Sequence, residues 1–167
     1  MSDSKLLIYL ARKDLRVSDN PILHSLASTK DNGFTHLLPL YVFNTQQLET
    51  SGFLKEGEVR SPYREARSQV GGFWRCGPHR AKFIAECVSD LKSGLQNIDS
   101  DLCIRVGMPE KVISEIIASS DLKVGAVWMV AEEGVEENRE EVAVRSVCRE
   151  AGVEFKLFSD EKYLIDE

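Results

Sequence analysis

No stretch of this 167-residue chain approaches the ~20 consecutive apolar residues that a membrane-crossing helix needs. Nothing in it repeats, and no segment is of low complexity. The opening residues, MSDSK, do not read as a secretory signal. The four cysteines, Cys76, Cys87, Cys103 and Cys148, contain no CxxC pair. Cys76 and His79 have a ligand-like spacing, but no second close pair completes a four-ligand metal site. Cys87, Cys103 and Cys148 stand in apolar, periodic surroundings and read as buried thiols, which implies a reducing, intracellular compartment. The three histidines, His24, His36 and His79, lie in separate segments without a nucleophile motif, which excludes a recognisable Ser-His-Asp triad. Neither GxGxxG nor GxxxxGKS/T occurs, so the standard phosphate loops are missing. A net charge of −6 argues against a chain that coats nucleic acid by charge alone.

What is there is an ordinary globular composition, 43% hydrophobic and 29% charged, at a length that fits one domain with a proper core. The organising stretch is Leu6 to Pro21. Its apolar run, Leu6 to Ala11, reads as a strand buried on both faces. A charged loop follows, and Asn20-Pro21 marks a helix start. The spacing then predicts a helix over Pro21–Ser28 and a strand over His36–Phe43. Pro39 inside that strand implies an edge or a bulge. Residues 44–77 form a long irregular connection.

A second helix is predicted from Gly77-Pro78 to about Asn97, with Ile84, Val88, Leu91 and Leu95 as its buried stripe. A strand over Leu102–Val106 leads through Gly107-Met108-Pro109 into a third helix that buries Val112, Ile113, Ile116 and Ile117. A strand over Val124–Val130 precedes a fourth helix, Gly134–Ala151, that buries Val144, Val147, Cys148 and Ala151. Gly152 stops it, and Val153–Phe158 is the last strand. Alternation of this kind predicts an α/β fold: a Rossmann-like five-stranded parallel sheet, order 3-2-1-4-5, with helices on both faces. Ligands of such sheets gather at the carboxyl ends of the strands. The crevice is expected between the Arg12–Arg16 loop and the Ala131–Gly134 turn.

Three constellations could carry chemistry, each with two readings. Arg12, Asp14 and Arg16 form either a polar clamp for a ligand or an internal brace of the loop. In Ala131 to Glu137, a carboxylate such as Glu132 could accept hydrogen bonds from a heterocycle, or the acids could complement a helix dipole. Between Arg60 and Lys82, six basic residues accompany Tyr63, Phe73 and Trp74, with Glu65 the one acid. That run is either a nucleic-acid surface or a solvated loop that pairs with the acidic fourth helix or docks a neighbouring domain.

Several ordered stretches resemble the photolyase/cryptochrome family, and most of all its DASH branch in the fungal form. They are Arg12-x-Asp14-Leu15-Arg16-Val17-Ser18-Asp19-Asn20-Pro21, Leu38-Pro39-Leu40-Tyr41-Val42-Phe43, Gly77-Pro78-His79-Arg80-Ala81-Lys82-Phe83, and Ile104-Arg105-Val106-Gly107-Met108-Pro109-Glu110. The resemblance implies an amino-terminal antenna domain over residues 1–160, with 161–167 opening the connector to a flavin-binding helical domain. It implies a methenyltetrahydrofolate antenna, or a deazaflavin as in some relatives. FAD and DNA would be bound only by the full-length protein, a blue-light photolyase of pyrimidine dimers, in single-stranded DNA, or a photoreceptor. The chain alone would not repair DNA. The antenna-ring ligand falls on Glu132, with Glu133 beside it. The family's histidine two residues before that glutamate is replaced here by Val130. The residues that contact a deazaflavin in relatives match Asp14, Leu15, Arg16 and Phe43. Without the helical domain an exposed apolar face would favour self-association. The alternatives are a free-standing nucleotide-binding module and a protein-docking module without photochemistry.

Overall fold

The computed structural model describes residues 4–54, 56–68 and 70–160. The expected connector, 161–167, lies outside them. The elements run β1 (Lys5–Ala11), α1 (Pro21–Ser28), β2 (His36–Asn44), α2 (Pro78–Gln96), β3 (Cys103–Gly107), α3 (Pro109–Ser119), β4 (Lys123–Val130), α4 (Val135–Ala151) and β5 (Glu154–Phe158). All strand pairs are parallel, and the sheet order is β3-β2-β1-β4-β5. This is the expected architecture.

The alternation of side chains along β1 builds two cores. Leu6, Ile8 and Leu10 pack with Val112, Ile113, Val144 and Cys148 beneath α3 and α4. Leu7, Tyr9 and Ala11 pack with Ile22, Val88, Leu91 and Leu95 beneath α1 and α2. Residues 7–10 are at most 1% exposed, and each large apolar side chain contributes about 1.5–3 kcal/mol on burial. No charged residue could occupy the centre of this strand at tolerable cost.

The helices begin and end where local chemistry dictates. The Asn20 side chain accepts from the N–H groups of Ile22 and Leu23, and Pro21 opens α1. Gly152, at φ 67°, ends α4 in the left-handed conformation. Pro39 pairs with Tyr9 of β1 in unbroken register, but β3 meets β2 only from Leu40 onward. The proline thus sits where β2 is locally an edge, and no bulge is needed.

Three packing expectations are corrected. Ala151 is exposed, and the α4 stripe instead continues backward into the buried Glu141. Cys87 and Cys103 are only partly buried, whereas Cys76 is buried; all four cysteines are free thiols. The irregularity of the sheet lies between β1 and β4, where Gly125 is skipped in the pairing. A Cβ at Gly125 would stand 3.1 Å from the Phe34 ring, whose edge-to-face partner is Trp128 at 5.5 Å. Gly125→Val should therefore cost ~1–3 kcal/mol through overpacking, read as a lower urea midpoint with unchanged slope.

Candidate functional site

The carboxyl ends of β1 and β4, where the strand order reverses, are closed by charge pairs. The Arg12 guanidinium donates to Glu141 Oε1 at 2.6 Å, to the Glu137 carbonyl at 3.3 Å, and to the Val130 carbonyl at the end of β4. Glu140 Oε1 lies 3.7 Å away. Glu141 also accepts the Glu132 N–H at 3.0 Å. Beside this, Lys13 Nζ stands 2.7 Å from Glu137 and 3.7 Å from Glu132. The Lys13 hydrogen bond holds the Glu137 carboxyl below its usual range, against a smaller opposing effect of burial. The expected crevice between the Arg12–Arg16 loop and the Ala131–Gly134 turn is thus a clamp.

The opening lies one strand over. A cavity of about 380 Å³ sits at the carboxyl ends of β1 and β2, between the first turns of α2 and the start of α4. Leu10, Leu15, Leu48, Phe83 and Ile84 give it apolar walls. Its polar lining includes Tyr41, Asn44, Arg80, Cys87 and Glu140. Glu140 is largely buried and accepts from Asn44 Nδ2 at 2.8 Å. Burial raises its pKa, opposed by the Asn44 hydrogen bond and Arg12. Burial likewise pushes the Tyr41 phenol up to about 12, so it remains a neutral hydroxyl at physiological pH. Arg80, exposed at the rim, has no carboxylate partner among the described residues.

The residues expected at a site are only partly brought together. Leu15 lines the cavity. Asp14 is 0% exposed and turned inward: it accepts from the Tyr9 hydroxyl at 2.5 Å and the Arg12 N–H at 2.9 Å. It braces the loop, through Tyr9 rather than an arginine. Arg16 makes a two-pronged bond to Asp160 at 2.9 and 3.0 Å, tying the end of β5 to the loop before α1. Phe43 packs edge-to-face on Tyr41 at 5.1 Å and reaches the site through that ring. Glu132 stands beyond Lys13, and Glu133 is exposed on the outer turn. Of the cavity's polar residues, Arg80, Glu140 and Asn44 were not singled out by the sequence as ligands. Glu140 could have been found by extending the Val144/Cys148 stripe one turn backward.

A family model described as DNA photolyase matches residues 7–166. The chain belongs to the DNA photolyase family. Its α/β unit corresponds to the photolyase amino-terminal domain. Two fungal relatives are similar over the whole chain. A putative cryptochrome DASH of Gibberella zeae is 52% identical, with 100% of this chain covering 24% of that protein. A putative mitochondrial cryptochrome DASH of Neurospora crassa is 49% identical, with 100% of this chain covering 23% of that protein. The chain thus spans about a quarter of the length of the curated relatives it matches. Among solved structures, a Synechocystis cryptochrome superposes with TM-score 0.71 at 22% identity, over 93% of this chain and 27% of its own. A Sulfolobus tokodaii photolyase, described with two FAD molecules and a novel light-harvesting cofactor, gives 0.64 at 21% identity, over 93% and 29%.

The photolyase-like stretches converge on one end of this fold. Asp14-Leu15-Arg16 follows β1, Leu38 to Phe43 lies within β2, Gly77 to Phe83 opens α2, and Gly107-Met108-Pro109 joins β3 to α3. All four border the cavity, the last through Pro109. Within the DNA photolyase family, the free-standing nucleotide-binding or docking module is not the favoured reading. No described helix is long and apolar enough to cross a membrane.

Proposed function

We propose that the cavity at the ends of β1 and β2 holds a flat heteroaromatic antenna chromophore of the deazaflavin or flavin kind. Such a chromophore supplies absorption in the near-ultraviolet or blue. In the full-length protein the excitation would pass to an FAD carried by the three-quarters of the relatives' length that this chain does not span. That flavin would then repair pyrimidine dimers, in single-stranded DNA, or signal light.

The observation that carries the reading is the cavity itself. Its ~380 Å³ falls within the ~300–1,000 Å³ of small-molecule sites, with mostly apolar walls and a few convergent polar groups. Phe83 and Ile84 offer faces for a ring, and the Glu140 carboxylate can accept a ring N–H. Arg80 stands at the mouth for an anionic or hydroxylated tail. Arg12 and Lys13 keep the neighbouring carboxylates compensated.

A second reading keeps methenyltetrahydrofolate on the outer turn, with Glu132 and Glu133 as ring ligands. It is favoured by the exposed Glu133 at the end of β4. The two are separated by titrating each chromophore against Glu140→Gln and Glu132→Ala. The cavity reading predicts deazaflavin binding weakened about fivefold by Glu140→Gln, the difference of about 1 kcal/mol between a charged and a neutral acceptor. Glu132→Ala should leave it within twofold. Because burial raises the Glu140 pKa, its carboxylate form is lost at a higher pH than a surface glutamate's. Deazaflavin affinity in the wild-type chain should therefore fall as acidification protonates that carboxylate, at a higher pH than a surface glutamate would require, and Glu140→Gln should flatten that fall. A pH-independent affinity in the wild type would remove Glu140 from the site.

A further inference from the structure

Five prolines punctuate the chain, and four of them, Pro21, Pro39, Pro78 and Pro109, open a helix or sit in a strand. Pro62 does neither. It follows Ser61, the one serine or threonine of the sequence that precedes a proline, and Arg64 stands three residues after Ser61. Ser61-Pro62-Tyr63-Arg64 therefore sets out a hydroxyl, then a tertiary amide with no N–H, then a cation. Serine/threonine kinases that are directed by proline read that order. Their pocket beyond the acceptor residue holds no partner for an N–H, so a proline fits it without an unpaired donor. An anionic group of such a kinase can then pair with the later cation.

The fold presents this segment in a form that a kinase can take. Residues 56–66 contain neither helix nor strand, and Arg60, Pro62 and Arg64 are exposed. A residue before proline is driven toward extended backbone, the form in which a substrate segment lies across a kinase cleft. The Ser61 hydroxyl is lightly held. It donates to the Thr50 carbonyl at 3.3 Å and accepts the Tyr63 N–H at 3.3 Å, both long for bonds of their kind. Tyr63 itself is anchored at its other end, where its hydroxyl donates to the Val106 carbonyl at 2.9 Å. The charges around the serine are already sorted. Arg67 pairs with Glu65 at 2.6 Å. Among the described residues no carboxylate pairs with Arg60 or Arg64.

We propose that Ser61 is a phosphoacceptor site for a proline-directed serine/threonine kinase, and that its phosphate is held by the turn that carries it. The site is independent of the antenna reading. In the transfer, Ser61 Oγ attacks the γ-phosphorus of MgATP. The bond to the β–γ bridging oxygen breaks, its electron pair leaves on ADP, and the hydroxyl proton passes to the kinase's catalytic aspartate. The product carries close to two negative charges and strong acceptor oxygens. The Tyr63 N–H, already directed at Oγ, is a ready donor to one of them. Arg60 and Arg64 flank the group in the sequence and supply its counter-charge. The ester oxygen has no proton, so the bond to Thr50 is lost, while the Ala66 N–H bond to Glu49 at 2.9 Å still ties the segment to the residues after β2. Modification thus turns a place with two unpaired guanidiniums into one that is nearly neutral, which is the switch such a site supplies.

The test incubates the folded 167-residue chain with MgATP and a cyclin-dependent kinase, beside a synthetic peptide of residues 56–66. Mass spectrometry should show a gain of about 80 Da, one phosphoryl group per chain, mapped to Ser61. Ser61→Ala should abolish it. Pro62→Ala should lower kcat/KM on the order of ten- to a hundredfold, the effect of one unpaired N–H in the kinase pocket. Arg64→Gln should lower it several-fold, as the loss of one exposed ion pair does. Capture of the phosphate is read by phosphorus NMR. The second ionisation of a phosphoserine, at a pKa of ~6 in a peptide, should lie about 0.5 lower in the folded chain, because a neighbouring cation favours the dianion. Arg64→Gln should return part of that difference. No incorporation into the folded chain, whether or not the peptide is modified, overturns the site, and so does incorporation that Ser61→Ala leaves undiminished. A phosphate that ionises in the chain as it does in the peptide overturns its capture by the turn.

Discussion

Replacing Arg12 by methionine should lower the stability of the fold by ~3–5 kcal/mol, the cost of stranding a buried carboxylate. Arg12 and Glu141 expose only 8% and 10% of their side chains, so solvent screens little of the loss. Without the guanidinium, Glu141 keeps one hydrogen bond, from the Glu132 N–H. Glu140 loses the one cation that opposes the effect of its burial. The Val130 and Glu137 carbonyls also lose a donor. Urea unfolding should show the loss as a lower midpoint, and heating as a melting temperature roughly 10 °C lower. Adding Glu141→Gln to the methionine variant should recover more than half of it, because the charge is removed and the Glu132 N–H keeps an acceptor. A single variant within 1 kcal/mol of wild type would show that the clamp is wetter than its burial implies.

The second large effect concerns the cavity. Cys87 stands on its wall, on the exposed side of α2 relative to the Val88, Leu91 and Leu95 stripe. Cys87→Trp places an indole where a chromophore ring would lie, while the core stripe of α2 is untouched. Chromophore affinity should fall on the order of a hundredfold, against about fivefold for Glu140→Gln, since exclusion removes all ring contacts and a neutral acceptor only weakens one. The melting temperature should hold or rise slightly, because the indole fills part of an existing void. Equal loss of binding and of stability would instead mean that the wall is part of the core.

Much of this fold was legible because punctuation coincided with periodicity. Asn20-Pro21, Gly77-Pro78, Met108-Pro109 and Gly152 fixed helix ends, and the unbroken apolar runs of β1 and β4 fixed the centre of the sheet. Pro39 was read correctly as an edge signal, although β2 is interior, because β3 is too short to reach it. The site was less legible for two physical reasons. Arg12 and Glu141 are 129 positions apart, and no local pattern announces a pairing made by the end of β1 with the second turn of α4. A position on a helix, moreover, is not a direction. The acids of α4 fit a surface face complementing the dipole, yet Glu137, Glu141, Val144 and Cys148 share one stripe. That stripe turns Glu141 into the core and brings Glu137 and Glu140 to the cavity edge. Asp14 was legible as important but not in its role, since its partner is the buried hydroxyl of Tyr9, a residue that reads as plain core.

The resemblance to photolyases was carried by loops and strand ends, and these are the parts that meet at the cavity. The account therefore stands on whether that cavity holds a chromophore within this chain alone. The most direct measurement is an absorption titration of 8-hydroxy-5-deazariboflavin, and in parallel of methenyltetrahydrofolate, into the wild-type chain and Cys87→Trp. The account predicts saturable, one-to-one deazaflavin binding by the wild type, with a shifted band, and its loss in Cys87→Trp. Binding of neither chromophore by the folded wild-type chain, or binding that Cys87→Trp leaves intact, would contradict it.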